Sequence, residues 1–299
     1  MATGGLLGTG RMGGAMGRAI HAAGYDLVLW NRSAAAATEL ARELDATVVG
    51  RPRDVAAAAG ICISMLADSA AVDAVYGSPD GLVAGAGPAN VLIDSSTVPP
   101  ATIRAHAPAA RAAGAGILDA PVSGSVSLAT AGKLTLMVGG EAADLERARP
   151  VLEAVSGTLF HLGPLGTGAA MKLAVNTVIF GLNEAVAEGL VLAERAGVPR
   201  DLAYDVIAAS AAGAPYVAYK RTAFLDPDGT PVAFTLDLTA KDLGLIAELA
   251  ADVGLRMPQA EVDLAVIRAA SAGGQGGRDF ATVADHLRRA APHEEDHPD

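Results

Sequence analysis

The sequence contains a single cysteine, Cys62, and only 4% of its 299 residues are aromatic. One cysteine cannot form an internal disulfide, so nothing indicates an oxidising compartment. We expect Cys62 to be buried in the apolar run ICISML. No uninterrupted apolar run reaches the ~18–20 residues of a membrane span, and the N-terminus lacks the pattern of a signal peptide. These absences predict a soluble, cytoplasmic protein without a membrane partner.

Positive charge is also scarce. The chain has 22 Lys and Arg residues against 33 Asp and Glu, which gives a formal net charge of −11. Nucleic-acid binding depends on clustered Lys and Arg, so this composition argues against a nucleic-acid partner. It does not exclude a small anionic ligand, because a local cluster of donors outweighs net charge within a screening length of ~8–10 Å.

Hydrophobic residues make up 51% of the chain, enough for a full core, and the length suggests two domains. In the first half, short apolar runs alternate with alanine-rich helical patterns. The runs predicted as strands are GGLLG, YDLVLW, ICISML, NVLID, GILDA, LTLMVGG and TLFHL. Strands separated by crossover helices predict an α/β domain over residues 1–163, with a mostly parallel, doubly wound sheet.

After residue 163 the pattern becomes helical. Residues 166–197 predict one long helix, which a Gly/Pro turn opens and Gly197 closes. From there to residue 290 we find helical patterns and loops but no convincing strand. We therefore predict an all-helical domain over residues 164–290. The polar residues 291–299, APHEEDHPD, are predicted to be a disordered tail.

The segment GLLGTGRMGGAMG contains a G-x-G-x-x-G motif at Gly8, Gly10 and Gly13, between a predicted strand and a predicted helix. Such glycines permit a tight turn, close approach of the backbone to a pyrophosphate and close packing of helix on strand. The helix N-terminus offers N–H groups to the anion. We assign these glycines, with Arg11 and Met12, to a dinucleotide-binding site.

The second strand ends in VLWNRS, where a chain selective for NAD usually carries an acidic residue for the ribose 2′-hydroxyl. Asn31, Arg32 and Ser33 stand there instead. A guanidinium pairs with a 2′-phosphate, so the pattern favours NADP(H) over NAD(H). The alternatives are that Arg32 is an ordinary surface residue and that Ser33 caps the next helix.

Two loops that follow predicted strands carry candidate ligand groups. Thr97 lies in DSSTVPP, after NVLID, where ligands of open α/β sheets bind. Ser123, Gly124 and Ser125 lie in DAPVSGSVSLATAG, whose amides and hydroxyls are suited to binding an anion. Taken alone, this second segment is also typical of an ordinary Ser/Gly turn.

Lys172 is one of only four lysines, and it stands in the apolar helical pattern GAAMKLAVN. Lys172, Asn176 and Asn183 share one face of the predicted helix. A partly desolvated lysine is expected to have a lowered pKa, which suits proton transfer near neutral pH. The alternative is a side chain that extends to solvent at a domain edge. Similarly, Lys241 and Asp242, near the start of a later amphipathic helix, are either functional or a solvated helix end.

The four segments GLLGTGRMGGAMG, DAPVSGSVSLATAGKLTLMVGG, GTGAAMKLAVN and FTLDLTAKD occur in an order and spacing that resemble the β-hydroxyacid dehydrogenase family. The resemblance spans residues 5 to 287. It implies a Rossmann domain and a helical domain joined by a long interdomain helix. Within the family, VSGS, WNRS and RDFATVADHL are most similar to the NADPH-dependent semialdehyde reductase branch.

The resemblance also implies roles for individual residues. Lys172 matches the catalytic lysine, and Asn176, Ser123 and Gly124 match residues that bind the substrate carboxylate. Thr97 matches a residue beside the nicotinamide, and we assign Leu66, in MLAD, to the cofactor site. Phe234, Lys241 and Asp242 match the family segment that closes over cofactor and substrate. We assign Phe234 to the substrate, and Lys241 and Asp242 to the cofactor.

The expected reaction is therefore reduction of a short aldehyde acid by NADPH, without a metal, in a homodimer or homotetramer. Two alternatives stay open. An imine reductase has a similar fold and cofactor loop but typically lacks the lysine. A non-catalytic NADP-binding protein would not need the candidate catalytic groups.

Overall fold

The computed structural model describes residues 3–290. The chain forms two compact units, Met1–Lys172 and Leu173–Asp299, here called the N-terminal and C-terminal units. Their division falls inside the long helix, whereas the sequence analysis placed a domain boundary at residue 163. The tail predicted at residues 291–299 lies outside the described residues.

The N-terminal unit is built on a sheet that has nine strands within residues 3–290, in the order β3-β2-β1-β4-β5-β6-β8-β7, with β9 paired to β8. The strands are β1 Thr3–Leu7, β2 Asp26–Trp30, β3 Thr47–Val48, β4 Ile61–Ser64, β5 Val91–Asp94, β6 Gly116–Asp119, β7 Val122–Ser123, β8 Leu134–Gly140 and β9 Ser156–His161. From β1 to β6 all pairings are parallel, while β8 runs antiparallel to β6 and β7.

The predicted, mostly parallel α/β sheet is thus confirmed. The strands β3 and β7 were not predicted, because two residues are too short to show a period-2 pattern.

Helices cover both faces of this sheet: α1 Arg11–Ala22, α2 Ala34–Leu44, α3 Pro52–Ala58, α4 Ser69–Gly77, α5 Pro100–Ala112, α6 Val126–Thr130 and α7 Ala142–Val155. Successive strand residues point to opposite faces. Leu6 therefore joins one apolar core and Leu7 the other, and both are fully buried. Cys62 is buried as expected, and burial raises the pKa of its thiol to about 12.

Glycine in the first strand has a packing reason. The segment MATGG is a weak strand pattern, yet β1 begins at Thr3 and includes Gly4 and Gly5. A β-carbon added at Gly5 would lie 2.5 Å from Val55 Cγ1 of α3. The missing side chain therefore lets α3 pack directly on the central strand, which offsets the low strand propensity of glycine.

The long helix, α8, spans Thr167–Arg195 and confirms the prediction for residues 166–197. Its N-terminus is held by the buried carboxylate of Asp119, at the end of β6. Asp119 Oδ1 accepts from the Gly166 N–H and Oδ2 from the Ala169 N–H, both at 2.6 Å. Burial raises the pKa of Asp119. This anchor fixes the first two turns of α8, on which Lys172 lies, relative to the sheet.

In the C-terminal unit, α8 is followed by α9 Arg200–Ala209, α10 Pro215–Leu225, α11 Leu236–Asp252, α12 Pro258–Ala270 and α13 Val283–Ala290. Within the described part of this unit the only β pairing is an isolated bridge between Thr235 and Asp279. The all-helical prediction is confirmed. By length and composition alone α8 could cross a membrane, a test that a buried core helix also passes; its Phe180 and Leu190 are core residues of this unit.

Candidate active site

The glycine loop adopts the geometry that the motif predicts. Gly8 has a φ of +94°, and a β-carbon there would lie 2.2 Å from the Met65 carbonyl oxygen. One at Gly13 would lie 2.0 Å from the carbonyl oxygen of Gly8. Gly10 differs, since a β-carbon would meet no protein atom within 4 Å. Gly10 occupies the N-cap position of α1. No capping side chain therefore covers the first turn of this helix, which begins with Arg11 and Met12. This arrangement fits a pyrophosphate.

Gly10→Ala is expected to weaken binding of a nicotinamide dinucleotide by at least about tenfold, because the methyl group occupies the space needed by the pyrophosphate. The unfolding temperature of the cofactor-free protein should stay nearly unchanged, since no protein atom is displaced. Fluorescence titration and thermal unfolding measure the two effects. Gly50→Ala is the matched control, because its β-carbon also meets nothing within 4 Å. Equal affinity in Gly10→Ala and the control would contradict the assignment.

The end of β2 is linked to the glycine loop by Asn31. Its Oδ1 accepts from the Thr9 N–H at 3.1 Å, and its Nδ2 donates to the Ser33 carbonyl oxygen at 3.0 Å. Arg32 is exposed, and among residues 3–290 no ion pair to it is found. Ser33 precedes α2, but its side chain makes no capping hydrogen bond. Ser33 thus occupies the N-cap position of α2, as the alternative interpretation expected, but its hydroxyl does not cap the helix.

A buried polar network, which the sequence analysis missed, supports the next two loops. The carboxylate of Asp94, at the end of β5, accepts from Ser64 Oγ at 2.8 Å and from Ser96 Oγ at 2.7 Å. Ser96 Oγ accepts in turn from the Leu66 N–H at 2.9 Å. Thr97 follows directly. The signal was the polar triplet DSS after an apolar strand, but only the fold shows which N–H groups it serves.

These contacts bring together part of the predicted cofactor site. A β-carbon at Gly8 would lie 3.2 Å from Leu66 Cδ2. The turn containing Gly8 and the loops containing Leu66 and Thr97 follow β1, β4 and β5, three neighbouring parallel strands. The carboxyl ends of parallel strands meet at one edge of the sheet, where ligands of open α/β folds bind.

The predicted anion-binding loop starts at Ser123, which ends β7 opposite Thr135. Gly124 has a φ of +140°, and a β-carbon there would lie 2.9 Å from Leu134 Cδ2, so this position requires glycine. Ser125 caps α6, since its Oγ accepts from the Leu128 N–H at 3.3 Å. Its hydroxyl thus has a structural role. Helix α6 packs against α1, the helix that follows the glycine loop.

On α8, Lys172 is half-buried and Asn176, one turn further, is buried. Asn176 Nδ2 donates to Asp242 Oδ2 of α11 at 2.9 Å. A carboxylate only accepts hydrogen bonds, so the amide nitrogen must be the atom that faces it. Asp242 Oδ1 lies 2.9 Å from Lys241 Nζ.

Asp242 is only 1% exposed, in the second turn of α11, so a solvated helix end is the wrong interpretation for it. The fold also brings Asp242, assigned to the cofactor, to Asn176, assigned to the substrate.

Asn183 shares the helix face of Lys172 but serves the core. Its Oδ1 accepts from Tyr216 Oη at 2.7 Å, and its Nδ2 donates to the Phe280 carbonyl oxygen at 3.2 Å. The half-buried ring of Phe234 lies 6.2 Å from that of Phe180 and 5.8 Å from that of Phe280. Asn183 is therefore structural, while Phe234 lies at the edge of an aromatic cluster. Among residues 3–290, no group of three or more His, Cys, Asp and Glu side chains could hold a metal ion.

Comparison with known proteins identifies relatives along both units. A family model described as the NAD binding domain of 6-phosphogluconate dehydrogenase matches residues 3–163. A second, described as the NAD-binding of NADP-dependent 3-hydroxyisobutyrate dehydrogenase, matches residues 166–287.

Two of the similar proteins are a dehydrogenase and a reductase. The NAD-dependent L-serine dehydrogenase of Pseudomonas aeruginosa is 34% identical over 93% of this chain and 95% of its own length. Glyoxylate/succinic semialdehyde reductase 2 (chloroplastic) of Arabidopsis thaliana is 32% identical over 97% of this chain and 80% of its own length.

The crystal structure of 3-hydroxyisobutyrate dehydrogenase from Salmonella typhimurium superposes with a TM-score of 0.87 at 29% identity, covering 96% of this chain and 100% of that one. The imine reductase of Myxococcus stipitatus is more distant, with a TM-score of 0.63 and 22% identity, which shows a shared fold alone.

Proposed function

The chain belongs to the β-hydroxyacid dehydrogenase family and is a NAD(P)-dependent oxidoreductase, and we propose that it interconverts a short aldehyde or keto acid and its hydroxy acid with NADP(H). Glyoxylate and small semialdehydes are the substrate class. The proposal includes a cytoplasmic location, on the composition, and a homodimer or homotetramer, on the family resemblance.

In this proposal Ser123, Gly124 and Asn176 bind the substrate carboxylate through a hydroxyl, a backbone amide and a side-chain amide. A nicotinamide dinucleotide held at the turn of Gly8, Gly10 and Gly13 would supply or accept the hydride. Lys172 Nζ donates a proton to the carbonyl oxygen in the reductive direction, and the resulting amine takes one from the hydroxyl in reverse. The ammonium group also stabilises the negative charge that develops on that oxygen.

The observation that carries the proposal is the buried hydrogen bond of 2.9 Å between Asn176 and Asp242. Polar groups buried in an apolar unit cost free energy unless they are paired, so this contact fixes the facing sides of α8 and α11. The face of α8 that it fixes also carries Lys172, four residues earlier. A lysine on a helix face that a buried hydrogen bond holds in place is suited to proton transfer with defined geometry.

The direct test follows NADPH absorbance with glyoxylate, succinic semialdehyde and a cyclic imine. We expect turnover of one or both aldehyde acids and none of the imine. Turnover of the imine alone would favour the imine reductase alternative. NADPH binding without turnover of any compound would favour a non-catalytic protein. Either result overturns the proposed function.

The preference for NADP(H) rests on Arg32, whose exposed guanidinium follows the end of β2. Arg32→Glu is expected to lower kcat/KM with NADPH by ~10- to 100-fold, because an attractive pair with the 2′-phosphate becomes a repulsive one. The value with NADH should change little, so the ratio of the two values measures the effect. Arg42→Glu, another exposed arginine on the following helix, is the matched control. An unchanged ratio in Arg32→Glu would contradict the preference.

A further inference from the structure

A buried ion pair in the C-terminal unit holds the segment that leads into α11. Lys220 and Asp279 are 4% and 2% exposed, and Lys220 Nζ donates to Asp279 Oδ1 at 2.6 Å. The same oxygen accepts from the Ala281 N–H at 3.1 Å. Asp279 Oδ2 accepts from two further backbone groups, the Ala233 N–H at 3.0 Å and the Phe234 N–H at 3.3 Å. The carboxylate of Asp279 therefore accepts hydrogen bonds from one ammonium group and three backbone N–H groups.

The segment that this carboxylate holds has little structure of its own. Residues 226–234, DPDGTPVAF, form turns and irregular backbone between α10 and α11. Two backbone bonds add to the carboxylate contacts: the Phe280 N–H donates to the Phe234 carbonyl oxygen at 2.9 Å, and the Leu236 N–H donates to the Arg278 carbonyl oxygen at 3.0 Å. Asp279 thus binds this segment at the point where irregular chain becomes helix.

Further contacts connect this segment to the residues that are assigned to the substrate. Thr235 caps α11, its Oγ1 accepting from the Leu238 N–H at 3.1 Å. Helix α11 then carries Asp242 to Asn176. The ring of Phe280, the residue after Asp279, lies 4.4 Å from Lys220 Nζ and packs edge-on against Phe234. Asp279 therefore contacts both the backbone of Phe234 and Thr235, the residue that caps α11.

We propose that Asp279, with Lys220 as its counter-charge, is a positioning residue that fixes Phe234 and the first turn of α11 for substrate binding. The ion pair compensates two buried charges, so the carboxylate remains available to the Ala233 and Phe234 amides. Neither residue need touch the substrate. This inference rests on the proposed function, in which Phe234 keeps the substrate-binding role that the family resemblance implies.

The test compares two double variants that both remove the ion pair. Lys220→Met with Asp279→Asn keeps an oxygen that can accept from the amides of Ala233 and Phe234. Lys220→Met with Asp279→Leu has a similar volume but no acceptor. Since both variants lack buried charge, they avoid the unpaired lysine that Asp279→Leu alone would leave. Tyr204→Phe removes a buried hydrogen bond of 2.6 Å to the Val217 carbonyl oxygen elsewhere in this unit, and controls for general loss of stability.

We expect the leucine-containing variant to lose ~10- to 100-fold in kcat/KM for the aldehyde acid, mainly through KM, as for loss of one or two hydrogen bonds to a charged acceptor. The asparagine-containing variant should recover most of that loss. Amide hydrogen exchange at Ala233 and Phe234 should accelerate in the leucine-containing variant, while the amides of α9 and α10 stay protected. Tyr204→Phe should leave KM unchanged.

Equal KM values in the two double variants would overturn the inference, as would a KM change of the same size in Tyr204→Phe. An inactive wild-type enzyme would instead overturn the proposed function, so the two failures are distinguishable.

Discussion

Replacing Lys172 with alanine is expected to lower kcat for reduction of an aldehyde acid by ~10²- to 10⁴-fold, the contribution typical of a positioned general acid. The variant loses both the proton donor and the positive charge near the developing alkoxide. Affinity for NADPH should be nearly unchanged, because the groups assigned to its phosphates lie in the turns after β1 and β2. Steady-state kinetics and a fluorescence titration measure the two quantities separately.

Two further lysine variants sharpen this test. Lys172→Arg keeps the charge on a group that does not release its proton in proteins, so it should recover part of the charge stabilisation but not the proton transfer. Lys133→Ala removes an exposed lysine of the N-terminal unit and should leave kcat unchanged. If Lys172→Ala turns over as fast as wild type, the assignment of the general acid is wrong.

The second large effect concerns stability and comes from Glu184 on α8. Burial, followed by the nearby charges of Asp263 and Glu188, raises the pKa of Glu184 to about 8. Its side chain is 5% exposed, and Oε1 accepts no hydrogen bond from any residue that the structure describes. The folded protein therefore keeps a proton on Glu184 over a pH range in which the unfolded chain, with an ordinary pKa near ~4.3, has lost it.

Because the folded state binds the extra proton, the free energy of unfolding falls as pH rises from ~4.3 towards the folded pKa, by up to ~1.4 kcal/mol per pH unit. Glu184→Gln stays neutral and removes this slope. At pH ~8.5 the variant should be more stable than wild type by a few kcal/mol, which raises the unfolding temperature by about 5 °C or more. At pH ~4.5 the two proteins should unfold at similar temperatures.

Thermal unfolding across this pH range tests the prediction. Glu248→Gln, an exposed glutamate on α11 of the same unit, is the matched control and should follow the wild-type curve closely. Asp263, whose pKa is also raised by burial, leaves a residual slope in both variants. Parallel curves for wild type and Glu184→Gln would show that Glu184 is charged in the folded protein.

Local sequence patterns predicted those parts of the site that depend on neighbours in the chain. The glycine loop followed from the spacing of Gly8, Gly10 and Gly13, because all three lie in one short segment between a strand and a helix. The i, i+4 relation of Lys172 and Asn176 followed from helix geometry alone. By contrast, the buried carboxylates of Asp94, Asp119 and Asp279 were not predicted as supports. Asp119 and Asp279 accept from backbone N–H groups of distant segments. Asp94 accepts from the hydroxyl of Ser64 on the neighbouring strand β4.

By itself, the sequence determined the two-part architecture, the crossover sheet, the long helix and the place of the cofactor loop. These features follow from the period of apolar residues and from glycine chemistry, both of which act over a few residues. Only the tertiary structure decided that Asn176 meets Asp242, which is 66 residues away, while Asn183, on the same helix face, serves the core instead. Side chains distant in sequence meet through packing, and packing depends on the shape of the whole unit.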